Sequence, residues 1–182
     1  RFAPGFFVGP SWSPDGTTIA TAENRGEGAV GGRIVGIDVA SGSETELSTG
    51  WSFVGQVAWS ADGRTLYAVA RRGFNTNERI WQIPLKGEPR PITNTLFDHR
   101  IVSLSADGKT LFFVAGDTTR SEIYSVPVGG KMPASLTPGT DAFHDQPRLS
   151  PDGSRLVFAS TRDGGGLFLM GVNGESVRRL AD

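Results

Sequence analysis

Hydrophobic and polar residues alternate along this chain in short runs, and no stretch keeps apolar residues at the 3.6-residue spacing of an amphipathic helix. The apolar runs are rich in Val, Ile, Leu and aromatic residues. Clusters of Gly, Pro, Asp and Ser separate them. This pattern predicts an all-β protein made of short antiparallel strands joined by tight turns.

The same turn occurs four times, as Ser-Pro-Asp-Gly or Ser-Ala-Asp-Gly between a large apolar residue and a β-prone run. Its aspartates are Asp15, Asp62, Asp107 and Asp152, at intervals of 47, 45 and 45 residues. The Asp side chain can accept hydrogen bonds from backbone amides two residues on, and Gly suits the positive-φ corner. A period of this size with strand-like flanks favours a β-propeller.

Each repeat is predicted to form one four-stranded blade, with blades over about residues 1–50, 51–95, 96–139 and 140–182 of a single module spanning 1–182. The predicted strands are 6–12, 19–22, 33–38, 44–47, 57–59, 66–69, 80–83, 90–93, 101–104, 111–115, 122–126, 135–137, 146–149, 156–159, 167–170 and 177–180. Aligned apolar residues are predicted to pack between blades: Trp12, Trp59, Leu104 and Leu149.

Ring closure has three possible forms. Every repeat begins on its own innermost predicted strand and ends on its outermost, so no strand is left over to complete a blade from the other terminus. We expect the four blades to be part of a larger ring or of a ring completed by a second copy through open blade edges. A tight four-bladed ring is the alternative.

Charge and composition limit the classes of ligand and chemistry that are expected of this chain. Lys and Arg number 18 against 19 Asp and Glu, a net charge of −1, which gives no support for binding nucleic acid or a membrane surface. No apolar run is long enough for a spanning helix, so no membrane insertion of this segment is expected. The absence of Cys excludes disulfides and thiolate chemistry. A chain that begins with Arg1 is expected to be a piece of something longer.

Motifs for cofactors and catalysis are weak. Residues 26–31 match Gly-x-Gly-x-x-Gly, but a predicted strand follows where a nucleotide site needs a helix, so we interpret them as a loop. Neither Gly-x-Ser-x-Gly nor His-Glu-x-x-His occurs. The sequence therefore predicts no cofactor, no resident metal site and no catalytic residue.

The two histidines form the candidate site, because His99 and His144 each lie eight residues before the turn Asp of their repeat. Equivalent positions of successive blades lie side by side, near the start of the inner strands where a propeller's funnel opens. The predicted ligand-binding patch comprises Asp98, His99, Arg100, His144, Asp145 and Gln146. It could hold an anion, a peptide carboxylate or a metal ion. The alternative is two loop histidines that hydrogen-bond to nearby backbone.

A second candidate is the loop of the second repeat that contains Arg71, Arg72, Phe74 and Asn75. It is interpreted either as a contact for a partner or as a solvated loop.

Several motifs resemble one known family. The runs Pro-Ser-Trp-Ser-Pro-Asp-Gly at 10–16, Ser-Thr-Arg-Asp-Gly at 160–164, Leu-Phe-Leu-Met at 167–170 and Arg-Arg-Leu at 178–180 are similar to the repeats of TolB-like β-propellers. Ala61, Ala106 and Leu104 depart from the family pattern at positions where a turn tolerates them. The second and third repeats also resemble the propeller sensor regions of bacterial Ser/Thr kinases and winged-helix regulators.

This resemblance implies a non-catalytic binding or scaffold module of a bacterial, extracytoplasmic (periplasmic) protein. It would recognise a protein, peptide or small ligand at the funnel face, either in a TolB-like protein or as a sensor. The alternative implied by similarity is a propeller that gates a prolyl-oligopeptidase-like serine peptidase or accompanies an amidohydrolase domain. Fold alone does not choose between them.

Overall fold

The computed structural model describes residues 6–25, 31–73, 76–94, 98–130 and 132–182, without the side chains of Asp98 and Ile101. The predictions made for residues 26–30, Phe74 and Asn75 therefore lie outside the described residues. The chain divides into two compact units, Arg1–Asn94 and Thr95–Asp182, and each is described by itself.

The first unit contains two four-stranded antiparallel sheets, each made of consecutive strands. Blade 1 comprises β1 (Phe6–Trp12), β2 (Thr18–Asn24), β3 (Gly32–Asp38) and β4 (Glu44–Trp51). Blade 2 comprises β5 (Phe53–Trp59), β6 (Thr65–Arg71), β7 (Arg79–Pro84) and the short β8 (Arg90–Pro91).

The second unit repeats this arrangement. Blade 3 comprises β9 (Asp98–Leu104), β10 (Thr110–Gly116), β11 (Ser121–Pro127) and β12 (Ala134–Ser135). Blade 4 comprises β13 (His144–Leu149), β14 (Arg155–Ser160), β15 (Gly166–Gly171) and β16 (Arg178–Ala181). One turn of 3₁₀ helix, Arg162–Gly164, is the only helical element among the described residues.

The predicted all-β propeller fold is confirmed by these four sheets. The predicted strands fall inside or beside the observed ones and miss up to four residues at their ends, because polar or Gly-containing ends continue the backbone ladder. A strand, β3, follows residues 26–31, as predicted. That residues 1–182 form a single module stays a prediction.

The repeated turn is held by its serine and aspartate. In blade 4, the Ser150 hydroxyl donates to Asp152 Oδ1 over 2.5 Å, and the Ser154 amide donates to the same oxygen over 3.0 Å. Gly153 adopts a φ of 71°. The other three turns have the same Ser–Asp hydrogen bond, at 2.6 Å in each case. The sequence motif thus encodes one turn geometry four times.

Each unit buries its core between its two blades. In the first unit Ala20, Ala22 and Ile34 of blade 1 cluster with Val54 and Val57 of blade 2. The prediction that Trp12 packs in this core is wrong, because its side chain is 59% exposed. The core lies where blade 1 meets β5, and Trp12 lies outside that contact.

A hydrogen-bonded side chain joins the blades at one position in each unit. The Asn24 amide nitrogen donates to the Val54 carbonyl oxygen over 2.6 Å, and the Val54 amide donates to Asn24 Oδ1 over 2.9 Å. In the second unit the Ser121 hydroxyl donates to the His144 carbonyl oxygen over 2.8 Å and accepts from the His144 amide over 2.9 Å. We call these two arrangements the interblade clamps.

The clamping residue lies on the second strand of its blade in the first unit and on the third strand of its blade in the second unit. Asn24 lies on β2 and pairs with Gly32 of β3, whereas Ser121 lies on β11 and pairs with Gly116 of β10. A Cβ on Gly32 would lie 3.2 Å from Asn24 Oδ1, and a Cβ on Gly116 would lie 2.6 Å from Ser121 Cα. In blade 1 the glycine leaves room for the clamping side chain itself, and in blade 3 it leaves room for the backbone that carries the clamping serine.

The turn geometry predicts the acid behaviour of Asp152. Hydrogen bonds, the Ser150 hydroxyl first and then the Ser154 amide, lower the pKa of Asp152 from its usual 3.8 to about 2. A carboxyl with a lowered folded-state pKa stabilises the fold above its unfolded value, and this contribution is lost as the pH falls through the folded pKa. We expect Ser150→Ala to raise the Asp152 pKa towards 3.8 in a carboxyl-detected NMR titration. Ser13→Ala is the control and should leave Asp152 unchanged. An Asp152 pKa that stays near 2 without the Ser150 hydroxyl would contradict this cause.

The clamps predict local losses of stability. Asn24→Ala or Ser121→Ala leaves one amide and one carbonyl buried without a partner, which should lower the free energy of unfolding by about 2–4 kcal/mol. Hydrogen exchange should accelerate at the Val54 amide in Asn24→Ala and at the His144 amide in Ser121→Ala. The control is Asn173→Ala, at an exposed asparagine. Equal protection of both amides in all three variants would refute the clamps.

Candidate functional site

The candidate residues lie on one edge of each blade, where the first strand begins and the second strand ends. We call it the opening edge. In blade 3 His99 pairs with Ala115, and in blade 4 His144 pairs with Ser160. The register shifts one pair beyond each histidine, between Arg100 and Val102 and between Asp145 and Arg148. Such β-bulges bend a strand and re-aim its side chains.

His99 belongs to the interior of blade 3. Its side chain is fully buried and stacks on Phe113, with ring centroids 5.1 Å apart and an interplanar angle of 26°. Phe113 in turn stacks on Tyr124 at 5.4 Å. The imidazole is thus the first ring of an aromatic stack that fixes its orientation.

His144 is buried in the same way in blade 4. Its ring contacts Phe158 edge-on at 5.5 Å, and Nε2 lies 2.7 Å from the Thr140 hydroxyl. Burial lowers the pKa of His144, the nearby Arg162 lowers it further, and Glu122 acts in the opposite direction. Nδ1 is buried with no hydrogen-bond partner among the described residues. A lowered pKa favours the neutral ring at neutral pH.

The Thr140–His144 pair does not have the arrangement of a hydrolytic site. In Ser/Thr hydrolases a third group accepts from the second ring nitrogen and orients the base. Among the described residues no group takes that role at Nδ1. The geometry suits a structural hydrogen bond that holds the ring in place.

The other predicted residues are exposed. Arg100 lies next to His99 on the bulge of blade 3, and Asp145 and Gln146 lie on the bulge of blade 4. The Gln146 amide donates to Asp145 Oδ1 over 2.8 Å, and Gln146 has a φ of 51°. The side chain of Asp98 lies outside the described residues. The structure thus brings Asp145 and Gln146 together and presents them with Arg100 to solvent, while both imidazoles face inward.

The sequence named Arg72 as a possible partner contact but not the two rings it packs on, Trp51 at the end of β4 in blade 1 and Trp81 on β7 in blade 2. The Arg72 guanidinium carbon lies 4.7 Å from the ring centroid of Trp51 and 5.3 Å from that of Trp81. The two indoles pack edge-to-face at 5.0 Å. We call these three residues the Arg72 cluster. A signal did exist, because the residue ten positions after the turn Asp is arginine in three repeats: Arg25, Arg72 and Arg162.

No group of three or more His, Asp or Glu side chains in the described ranges is close enough to hold a metal ion. Within those ranges, too, no helix has the length and hydrophobicity to cross a bilayer.

Comparison with known proteins gives relatives that are longer than this chain. The uncharacterized protein Atu1656 of Agrobacterium fabrum is 28% identical over 98% of this chain and 59% of its own length. Dipeptidyl-peptidase 5 of Porphyromonas gingivalis is also 28% identical, over 90% of this chain and 24% of its own length. The chain thus spans about three-fifths of one relative and a quarter of the other.

Solved structures support the same fold. The crystal structure of TolB from Acinetobacter baumannii superposes with a TM-score of 0.77 at 22% identity, over 97% of this chain and 44% of that one. A family model described as the TolB beta propeller domain matches residues 2–182, so the resemblance predicted from the turn motifs is confirmed. With four blades of consecutive strands and a match over nearly its whole length, the chain belongs to the TolB beta propeller domain family.

Proposed function

We propose that this chain is a non-catalytic binding module of a bacterial, extracytoplasmic protein that recognises a protein or peptide partner at the opening edges of its blades. The observation that carries the proposal is the difference in burial between neighbouring side chains at these edges in blades 3 and 4. Both imidazoles are buried, whereas the adjacent Arg100, Asp145 and Gln146 reach solvent. Exposed polar groups on a rigid support are typical of recognition sites.

Each buried group contributes to that rigidity. The Ser121 clamp holds the backbone of His144, and Thr140 and Phe158 hold its ring. The neighbouring Asp145 and Gln146 then project from a strand whose position is fixed on both sides. Binding to such a preorganised edge loses little conformational entropy.

The wider setting belongs to the same proposal. The family supports a TolB-like protein, and the sequence resemblance also allows the sensor part of a signalling protein. Self-association through open blade edges is compatible with both, because the edge strand of any sheet presents backbone groups that its own sheet does not pair.

A second candidate function is a propeller that gates a serine peptidase. The observation that favours it is the 28% identity to Dipeptidyl-peptidase 5, over 90% of this chain. The full gene product, incubated with dipeptidyl naphthylamides, would discriminate the two functions. Release of naphthylamine that is blocked by a serine-directed inhibitor favours the gate, and no release favours the binding module.

Site-specific photo-crosslinking tests the binding proposal. p-Benzoylphenylalanine at position 100 or 145, on the opening edge, should crosslink the same partner from an extracytoplasmic fraction. The matched controls carry it at position 109 or 155, which are also exposed but lie beside the turns. The proposal predicts products at 100 and 145 that unlabelled protein competes away. Equal products from both edges, or none at the opening edge, would reject it.

A further inference from the structure

The Arg72 cluster combines one exposed cation with two aromatic rings that are fixed by their own hydrogen bonds. Trp51 is fully buried, and its indole nitrogen donates to the Ser48 hydroxyl over 3.0 Å. The indole nitrogen of Trp81 donates to the Ala70 carbonyl oxygen over 2.9 Å. Neither ring can rotate without losing its hydrogen bond, so the surface under Arg72 is rigid.

The backbone around Arg72 is equally restrained. The Ser52 hydroxyl lies 3.0 Å from the carbonyl oxygens of both Arg71 and Gly73. The Thr76 hydroxyl donates to the Arg72 carbonyl oxygen over 2.9 Å. A guanidinium on such a support loses little side-chain freedom on binding a ligand, since the rings already restrict its position.

Comparison between blades shows what is different about Arg72. The equivalent Arg162 has the Asp163 carboxylate 3.4 Å from its Nε, and the equivalent Arg25 has the Glu23 carboxylate at 3.3 Å. Blade 2 carries Gly73 where blade 4 carries Asp163. No carboxylate among the described residues lies within 4.0 Å of the Arg72 guanidinium. Among the described side chains, the repeat thus keeps the cation in blade 2 without a carboxylate beside it.

We propose that the Arg72 cluster binds a carboxylate presented by a peptide, with the guanidinium as the charged anchor and Trp51 and Trp81 as its support. A guanidinium that stacks on a ring face keeps its N–H groups free at the edge, in the planar fork that fits a carboxylate. One cation suits this single negative charge. Trp and Arg are also the residues that dominate protein-binding hot spots. This inference rests on the proposed function and names its ligand class.

The carboxylate could come from an acidic side chain or from a peptide C-terminus. Three tripeptides separate these sources: acetyl-Leu-Glu-Leu-amide, acetyl-Leu-Gln-Leu-amide and acetyl-Leu-Gln-Leu with a free C-terminal carboxyl. Each is titrated into ¹⁵N-labelled protein, and the Arg72 Nε–H signal and the four indole N–H signals are followed. The indoles of Trp12 and Trp59 serve as internal controls.

The proposal predicts saturable shifts at Arg72, Trp51 and Trp81 with at least one carboxylate peptide and none with the neutral peptide. Arg72→Lys keeps the charge but loses the planar fork and should weaken binding about tenfold. Arg72→Gln should abolish the shifts. Arg64→Gln, at an exposed turn arginine, is the matched control and should bind as the parent does.

Failure of this site is distinguishable from failure of the binding function. No saturable shift at the three cluster signals, or shifts that persist in Arg72→Gln, would overturn the carboxylate site. Partner crosslinks from positions 100 and 145 could still form in that case. If those crosslinks are lost while tripeptide binding is intact, the carboxylate site at Arg72 is retained and the proposed partner-binding surface at the opening edges is rejected.

Discussion

The structure depends on how the first strand of a blade satisfies the backbone groups that its own sheet leaves free. At Val54 and at His144 an amide and a carbonyl point out of the sheet into a buried contact. Buried backbone groups without partners are costly, so a neighbouring blade must supply one. Asn24 and Ser121 do so, each with one side chain that both donates and accepts. Stacking of the blades within each unit is therefore specified by polar groups as well as by apolar area.

This constraint determines where recognition can occur. The clamps lie on the opening edges, so the strand starts next to them are fixed in position. In blade 4 the bulge that follows leaves the consecutive Asp145 and Gln146 exposed beside a buried imidazole, and in blade 3 Arg100 is exposed beside the buried His99. At the opening edge of blade 2, Arg72 packs on two indoles that are held in place by their own hydrogen bonds. The same features that stabilise the fold thus hold the candidate binding groups still.

The fold could be predicted from the sequence because its signals are local. The Ser-Pro/Ala-Asp-Gly turn needs four adjacent residues, and its Ser–Asp hydrogen bond forms wherever they occur. The clamps could not be predicted in this way. Asn24 and Ser121 occupy different strands of their blades, so alignment of the repeats does not bring them into one column. Their role appears only when a second blade is in contact.

The candidate site was predicted in part. The equivalent spacing of His99 and His144 correctly indicated the start of an inner strand, but the imidazoles pack on Phe113 and Phe158 rather than reaching solvent. Sequence spacing gives the position along a strand, whereas the bulge beside it decides which way a side chain points. Arg72 was named as a candidate contact, but its aromatic support was missed because Trp51 and Trp81 lie on different strands and meet Arg72 only after folding.

One exchange experiment tests most directly whether the clamp is a property of the strand pair rather than of a particular residue. Amide hydrogen exchange at Val54 is compared in the parent, Asn24→Gly, Gly32→Ser and the double variant, which gives blade 1 the arrangement of blade 3. We predict that Asn24→Gly loses protection and that adding Gly32→Ser restores a large part of it. Protection that is unchanged in Asn24→Gly, or that the added serine does not restore, would contradict the account.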